Sequence, residues 1–160
     1  MQSFSRLLAI LADHGLDFVI VGGYAAVTHG SSYVTKDVDI CIVFSEENIA
    51  RLRDALRDLN PRHRMLPGDL SFLTNPQPGT PLNNLYLRTD LGVVDILSSV
   101  LGVGDFAQLC ASAEITKVDG RSYRLMSLPD LIRGKEALGR EKDLLVAKEL
   151  RVIAAKRQAE

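Results

Sequence analysis

The spacing of apolar and polar positions predicts alternating helices and strands in the first part of the chain. Phe4, Leu7, Leu8 and Leu11 recur at the spacing of one helical face. Short apolar runs bounded by glycine or charged residues are typical of buried strands. These two patterns predict a helix over 3–14 with Ser3 as its N-cap, a strand over 17–21, a short helix over 24–29, a strand over 38–43 and a helix over 46–59.

Residues 60–81 interrupt this pattern, and we call them the proline-rich segment. They contain five of the six prolines of the chain. A loop of this length in a compact domain is usually functional or mobile. We therefore expect the proline-rich segment to be mobile in the absence of ligand.

Two hairpins and further helices are predicted after the proline-rich segment. Asp119-Gly120 and Asp90-Leu91-Gly92 are turn sequences between apolar runs. Ser127 followed by Pro129 is typical of a helix start. The predicted elements are strands over 85–89, 93–98, 115–118 and 123–126, and helices over 106–111, from 129 onward and over 140–155.

This order of elements predicts an α+β fold with a mixed β-sheet and packed helices. We expect one compact domain with a core over 1–126 and a helical C-terminal appendage over 127–160. The length of 160 residues and the apolar share of 46% suffice for such a core.

Charge, hydropathy and cysteine content bear on the partners and the compartment that we expect for the protein. The net charge of −1 creates no overall field toward nucleic acid or a membrane. No apolar run reaches the ~18 residues needed to span a bilayer, so no membrane partner is expected. Cys41 and Cys110 have no metal-ligand spacing, and a reducing cytoplasm suits them.

Three aspartates in apolar runs indicate a metal site. Asp37 and Asp39 share one face of a predicted strand, because side chains alternate along a strand. Their mutual repulsion has to be offset, and hard divalent cations prefer carboxylate oxygens. Asp95 lies in a second apolar run, and three converging carboxylates can hold two Mg²⁺ ions. Without metal, at least one of the three should have a raised pKa. The alternative is that they are structural acids paired with Lys or Arg.

The residues around Asp37 suit a phosphate group. Gly22 and Gly23 would let backbone N–H groups approach a triphosphate without interference from a Cβ, and a helix N-terminus follows them. A tight turn without ligand is the alternative. Ser32 and Thr35 carry hydroxyls that could contact phosphate or cap the loop.

Together these residues resemble the nucleotidyltransferase superfamily, which has the DNA polymerase β-like fold. Its members share a diglycine or Gly-Ser turn, an Asp-x-Asp pair and a third Asp on a later strand. The resemblance extends over nearly the whole chain. It implies an enzyme that transfers an NMP from an NTP to a hydroxyl acceptor with the help of Mg²⁺.

The C-terminal stretch is similar to a narrower branch, the minimal nucleotidyltransferases and abortive-infection toxins. The matching residues are Lys135, Arg140, Lys142 and Asp143. In relatives such basic positions face or brace the cleft, and Lys142 is thereby implied in nucleotide binding. A local helix pair is the alternative for Lys142. The chain departs from these relatives at Tyr33 and Val146, where they often carry Arg and Asp.

The resemblance also implies roles for the individual site residues. Asp37 and Asp39 would hold the metal that binds the triphosphate. Asp95 would complete a second metal site and help to deprotonate the acceptor hydroxyl. The residues implied in catalysis and metal binding are Asp37, Asp39 and Asp95, and those implied in nucleotide binding are Gly22, Gly23, Ser32, Thr35 and Lys142.

The acceptor stays open at this stage. A small molecule such as an aminoglycoside-like alcohol, a protein hydroxyl and a tRNA 3′ end all fit the resemblance. The proline-rich segment joins a helix to the hairpin that carries Asp95, so we expect it to form part of the acceptor site. Arg62 and Arg64 would contact an anionic acceptor there, with an exposed turn as the alternative.

Two other functions remain open. The branch that the C-terminus resembles often occurs in toxin–antitoxin pairs, so the protein could act mainly through a partner protein. It could also be a nucleotide-binding module without catalytic activity, although the three aspartates disfavour this reading.

Overall fold

A computed structural model describes residues 3–160 as a seven-stranded mixed sheet with packed helices. The predicted α+β fold class is confirmed. The elements in chain order are α1 Phe4–Asp13, β1 Val19–Val21, α2 Gly22–Thr28, β2 Asp37–Cys41, α3 Glu46–Leu56, a 3-10 turn Arg57–Leu59, β3 Arg62–His63, β4 Leu85–Thr89, β5 Gly92–Leu97, β6 Ser99–Val100, β7 Gly104–Asp105, α4 Phe106–Ser112, β8 Glu114–Val118, β9 Arg121–Leu125, α5 Leu128–Leu138 and α6 Glu141–Ala159.

Strand β2 lies at the centre of the sheet, whose order is β3-β4-β5-β2-β1-β9-β8. It runs parallel to β5 and antiparallel to β1. This register sets Asp39 directly beside Asp95 on one side and beside Val21 on the other. The sheet topology therefore brings residues from distant parts of the sequence to one position. A separate two-stranded ribbon, β6 with β7, was not predicted.

The predicted alternation along the central strands is confirmed. Val38 and Ile40 of β2 are fully buried, as are Val94 and Ile96 of β5. They belong to one apolar core that also contains leucines of α1 and α3. Asp37 and Asp39 of β2 and Asp95 of β5 face the other side of the sheet, where they are only partly buried, while Cys41 on that side is fully buried. The functional site described below lies on that side.

Several element boundaries differ from those predicted. Helix α2 begins at Gly22, directly after β1. The helix predicted over 46–59 ends as an α-helix at Leu56 and continues as a 3-10 turn. Asn60 then adopts a left-handed φ of 51°, which turns the chain before Pro61. Ser3 occupies the N-cap position of α1 without a side-chain hydrogen bond.

The proline-rich segment is more firmly attached than its sequence indicates. Its strand β3 pairs with β4 at the sheet edge, and its Phe72 is fully buried. Arg53 of α3 donates hydrogen bonds to the backbone oxygens of Phe72 (3.2 Å) and Pro76 (2.8 Å). The Arg53 guanidinium also lies 4.7 Å from the centre of the Phe72 ring. The segment thus has a buried anchor, while Met65 and Leu66 near its start are exposed.

Within residues 3–160, no helix combines the length and apolar character that crossing a bilayer requires.

Candidate active site

The three predicted aspartates converge, as strand alternation indicated. Asp37 and Asp39 extend from β2, and Asp95 extends from the neighbouring position of β5. One carboxylate oxygen from each lies within 4.8 Å of those from the other two. The parallel pairing of β2 with β5 produces this cluster because it matches Asp39 with Asp95 in register.

Asp39 is the least satisfied member of the cluster. Its Oδ1 is buried and has no hydrogen-bond partner in the described chain. Burial, followed by the charges of Asp95 and Asp37, raises the pKa of Asp39 to about 7, and the charges of Lys135 and Arg64 only partly oppose this rise. The raised pKa of Asp39 agrees with the expectation that at least one of the three clustered aspartates has a raised pKa.

Asp95 has a different environment because a cation already contacts it. Arg64 Nη2 lies 2.5 Å from Asp95 Oδ1 and 3.9 Å from Asp37 Oδ2. Burial raises the pKa of Asp95, and the hydrogen bond and charge of Arg64 oppose this rise without cancelling it. Arg64 therefore supplies positive charge at one side of the acid cluster.

The position of Arg64 differs from the exposed turn considered as an alternative. Its backbone N–H donates to the Tyr86 carbonyl oxygen at 3.0 Å, which extends the pairing of β3 with β4. Tyr86 is in turn the register partner of Asp95. Sequence reasoning missed this contact because it requires the pairing of a short strand inside a segment without apolar alternation. Arg62 instead contacts Asn60 and the backbone of Asp69.

The diglycine has a packing role that the sequence alone did not show. Gly22 has a φ of +67°, and a Cβ there would lie well inside van der Waals contact with Asp39 Oδ2. A Cβ on Gly23 would lie 3.0 Å from Thr35 Oγ1. Glycine is thus needed at position 22 both for its backbone conformation and for space beside the Asp39 carboxylate.

A cleft of about 350 Å³ opens beside the acid cluster. Its walls combine acids of β2 with basic residues of the C-terminal helices, an arrangement that suits a metal–triphosphate ligand. The lining includes Gly23, Thr35, Lys36, Asp37, Asp39, Lys135, Arg140 and Lys142. The predicted nucleotide-binding residues Gly23, Thr35 and Lys142 therefore share one cavity with two of the predicted metal ligands.

Asp143 organises the basic side of this cleft. Its carboxylate is buried and accepts a hydrogen bond from Arg140 Nε at 2.6 Å, and Lys135 Nζ lies 3.7 Å away. Although burial would raise the pKa of Asp143, the hydrogen bond from Arg140 and the charge of Lys135 hold it below its ordinary value. Asp143 thus pairs with Arg140 and Lys135, which line the cleft together with Lys142.

The hydroxyl residues before Asp37 have separate environments. Ser31 and Ser32 both donate hydrogen bonds to the Glu149 carboxylate of α6, at 2.6 Å and 2.5 Å. Thr35 donates to the Asp37 carbonyl oxygen at 2.8 Å and lines the cleft. The structure therefore supports the predicted nucleotide contact for Thr35 better than for Ser32, whose hydroxyl is already bonded to Glu149.

The acid cluster suits a divalent cation. Among the described residues, Asp39 Oδ1 is a buried oxygen without a partner, and the three carboxylates offer the hard ligands that Mg²⁺ prefers. Burial and the charges of Asp95 and Asp37 raise the pKa of Asp39, so its charged form would be favoured by a bound cation. A cation held by Asp37 and Asp39 would compensate their repulsion.

Comparisons with known proteins identify the fold. No protein-family model and no curated protein sequence matches the chain. Three solved structures resemble it over almost their whole length: ANT(2")-Ia in complex with adenylyl-2"-tobramycin (15% identity, TM-score 0.51, 93% of this chain and 95% of that one), TM1012 from Thermotoga maritima, provisionally described as a nucleotidyltransferase (17%, 0.57, 94% and 96%), and the lincosamide antibiotic adenylyltransferase LnuA with bound lincomycin (14%, 0.57, 92% and 94%).

These likenesses show that the chain has the nucleotidyltransferase fold, as the diglycine and the aspartates indicated. At such low sequence identity they establish architecture, and the chemistry has to be argued from the site.

Proposed function

We propose that this protein is a Mg²⁺-dependent nucleotidyltransferase that transfers an NMP from an NTP to a hydroxyl acceptor. The observation that carries the proposal is the cluster of three carboxylates, one with a buried oxygen that lacks a partner among residues 3–160, beside a cleft whose lining includes several basic residues. A protein that binds no cation gains nothing from repulsion of this kind, which lowers its stability.

The cleft residues divide into two groups by charge. Asp37 and Asp39 would hold the cation, which when bound neutralises charge on the triphosphate and stabilises the charge of the transition state. Lys142 and Lys135 line the same cleft and would attract the phosphates. Thr35 also lines it and would offer a hydroxyl oxygen to the ligand.

Asp95 is suited to accept the proton of the acceptor hydroxyl. In the proposed reaction the acceptor oxygen bonds to the α-phosphorus, the bond from that phosphorus to the bridging oxygen breaks, and pyrophosphate leaves. The acceptor proton passes to the Asp95 carboxylate, whose raised pKa makes it a better base than an ordinary aspartate. Arg64 has to move away from Asp95 before the carboxylate can do this, because its guanidinium now occupies Oδ1.

Whether the site takes two Mg²⁺ ions depends on the same movement. Asp95 was predicted to complete a second metal site, and Arg64 provides positive charge at that position. We propose that a first cation binds at Asp37 and Asp39, and that a second requires displacement of Arg64.

The comparisons bear on the acceptor only indirectly. ANT(2")-Ia was solved with an adenylylated tobramycin and LnuA with lincomycin, and both ligands are antibiotics that carry hydroxyls. A small hydroxyl compound is accordingly our preferred acceptor. Action through a partner protein of a toxin–antitoxin pair, or on a tRNA, stays a prediction.

The proposal can be tested by the position of the transferred phosphate. The purified protein is incubated with Mg²⁺, a small-molecule extract and each NTP labelled at either the α- or the γ-phosphate. Nucleotidyl transfer labels an acceptor from the α-position only, whereas phosphoryl transfer labels it from the γ-position. Asp39→Asn should abolish labelling, and Asp54→Asn on the exposed face of α3 serves as the control. Binding of Mg–NTP without any transfer would instead identify a nucleotide-binding module.

A further inference from the structure

An apolar groove lies next to the acid cluster, between β4 and the proline-rich segment. Its volume is about 570 Å³, and its lining includes Met65, Leu66, Leu70, Leu82 and Tyr86. Met65 and Leu66 are 64% and 50% exposed, which is costly for large apolar side chains that lie together. None of the groove residues belongs to the nucleotide cleft described above.

The groove is continuous with the proposed reaction centre. Tyr86 lies on β4 directly opposite Asp95 of β5, so both side chains project from the same face of the sheet. The Arg64 guanidinium lies 5.5 Å from the centre of the Tyr86 ring and also contacts Asp95. Tyr86 thus lines the groove and lies beside Arg64, which contacts the acid cluster.

The size and charge of the groove restrict what it can bind. Its volume falls within the range of roughly 300–1,000 Å³ that is typical of small-molecule sites. No Asp or Glu lines it within residues 3–160, so it offers no countercharge to an ammonium group. The Arg64 guanidinium at its inner end is paired with Asp95 and offers no negative group to a polycation either. Asn84 and Thr80 supply polar groups on a mainly apolar wall.

We propose that this groove binds the apolar part of the acceptor, and that the acceptor is an uncharged hydroxyl compound with a substantial apolar portion. An alkyl or aryl glycoside represents this class, and an aminoglycoside does not. The orientation of the acceptor rests on the proposed function, because it is the acceptor hydroxyl that has to reach Asp95. Binding of the apolar portion depends only on the groove itself.

The test uses β-D-glucosides with methyl, hexyl and octyl tails, all kept below their micelle concentrations, and tobramycin as the polycation. Binding to the full-length protein is followed by ¹H–¹⁵N chemical shifts and by calorimetry. Affinity should rise about twofold for each added methylene, since a groove open to solvent buries only part of the tail. The shift changes should centre on Met65, Leu66 and Tyr86, and tobramycin should leave these signals unchanged.

A pair of matched variants locates the binding. Leu66→Ser with Leu70→Ser removes two groove side chains that are 50% and 37% exposed, so the fold should tolerate it. Leu144→Ser with Leu145→Ser makes the same chemical change on α6, where both leucines are 49% exposed. The groove variant should bind octyl glucoside at least about tenfold more weakly, and the α6 variant should bind it like the wild type.

Several results would overturn the inference. Equal affinity for the three glucosides, equal loss in both variants, or tobramycin binding in the groove would each contradict it. Self-association of the wild type that disappears in the groove variant would identify a second copy of this chain as the occupant.

The proposed function can fail separately. Glucoside binding in a protein that binds no Mg–NTP would leave the groove as a ligand site and remove the nucleotidyltransferase proposal. Transfer of an NMP by a protein that binds no glucoside would support the nucleotidyltransferase proposal and remove the groove as a ligand site.

Discussion

Asp39 and Asp143 are both shielded carboxylates at the same cleft, yet their environments are opposite. Asp143 accepts a hydrogen bond from Arg140 and lies near Lys135, and these partners hold its pKa below the ordinary value against the effect of burial. Asp39 has a buried oxygen for which the described part of the chain supplies no partner, and burial and the two acids beside it raise its pKa to about 7. The protein thus supplies cationic partners to the Asp143 carboxylate but leaves one oxygen of Asp39 without a hydrogen-bond partner in the described residues.

This difference agrees with the proposed role of Asp39 as a metal ligand. A structural carboxylate is expected to have its partners within the protein, because an unpaired buried charge is costly. A buried carboxylate oxygen without a partner in the described residues is a candidate ligand for a cation from outside. Asp39 meets the second description and Asp143 the first, although both residues belong to motifs that resemble the same superfamily.

Exchanging each acid for its amide should give the largest and most different effects. Asp39→Asn should lower nucleotidyl transfer by about 10³-fold, because the cation loses a ligand, while the metal-free protein becomes equally or more stable. Asp143→Asn should lower the stability by about 1–3 kcal/mol, since Arg140 and Lys135 lose their countercharge. Calorimetric melting with and without Mg²⁺ measures the stability of each variant and its response to the cation, and the rate of labelling measures transfer. If Asp143→Asn removed the Mg²⁺-induced rise in Tm and Asp39→Asn kept it, the comparison would be wrong.

The two acids should also give opposite slopes of stability against pH. The pKa of Asp39 rises from 3.8 to about 7 on folding, so folding binds a proton between these values. The stability of the metal-free protein should therefore fall as the pH increases from about 4 to about 7. The lowered pKa of Asp143 contributes stability that is present above its ordinary value of 3.8 and is lost as the pH falls further.

Melting curves across this pH range in the presence of a chelator test the slopes. Asp39→Asn should flatten the region between pH 4 and 7 and leave the acid limb unchanged, because no ionisable group remains at position 39. Saturating Mg²⁺ should flatten the same region in the wild type by holding Asp39 in its charged form. A slope that persists in the variant would assign the proton uptake to another group.

Arg64 offers a smaller effect that tests how complete the cluster already is. Arg64→Ala removes the cation beside Asp95, so Mg²⁺ should bind about tenfold more tightly, as expected for loss of a nearby like charge. Arg62→Ala, two residues away, should leave the Mg²⁺ affinity unchanged because Arg62 contacts Asn60 and Asp69. Titration calorimetry gives both affinities. Weaker Mg²⁺ binding in Arg64→Ala would show that the guanidinium helps to assemble the metal site.

This expectation revises what the sequence indicated for the same arginines. Both had been assigned to the acceptor because they lie in the proline-rich segment. The structure separates them: Arg64 reaches the acid cluster, while the Arg62 side chain donates hydrogen bonds to Asn60 and to the backbone of Asp69 within the segment. Transfer rates against acceptor concentration remain the measurement that decides whether either one contacts the acceptor.

The parts that could be predicted from sequence depend on local spacing. Strand alternation placed Asp37 and Asp39 on one face, and their apolar neighbours showed which strands would be central. The contacts that were missed join positions far apart in the chain. Glu149 bonds Ser32 across 117 residues and Arg64 bonds Asp95 across 31, and neither pair leaves a periodic signal. Such contacts depend on the order of the strands and on where α6 packs.

The smallest effect concerns two hydroxyls that the sequence treated alike. Ser32 and Thr35 were both predicted to contact the nucleotide, and the distinction between Asp39 and Asp143 applies to them in weaker form. The Ser32 hydroxyl donates to Glu149, whose pKa these hydrogen bonds from Ser31 and Ser32 lower, so its partner lies within the protein. The Thr35 hydroxyl lines the cleft, and its oxygen can still accept a hydrogen bond from a ligand.

Thr35→Val should therefore weaken Mg–NTP binding about fivefold, the value of one ordinary hydrogen bond. Ser32→Ala should change the affinity less than about twofold, because its exposed partner Glu149 can turn to water. Glu149→Gln provides the matched control, since it alters the same contact from α6 without touching the loop. Titrations with one NTP at fixed Mg²⁺ compare the three variants. Equal losses in Thr35→Val and Ser32→Ala would mean that the loop binds nucleotide as a unit and that Ser32 leaves Glu149 when the ligand enters.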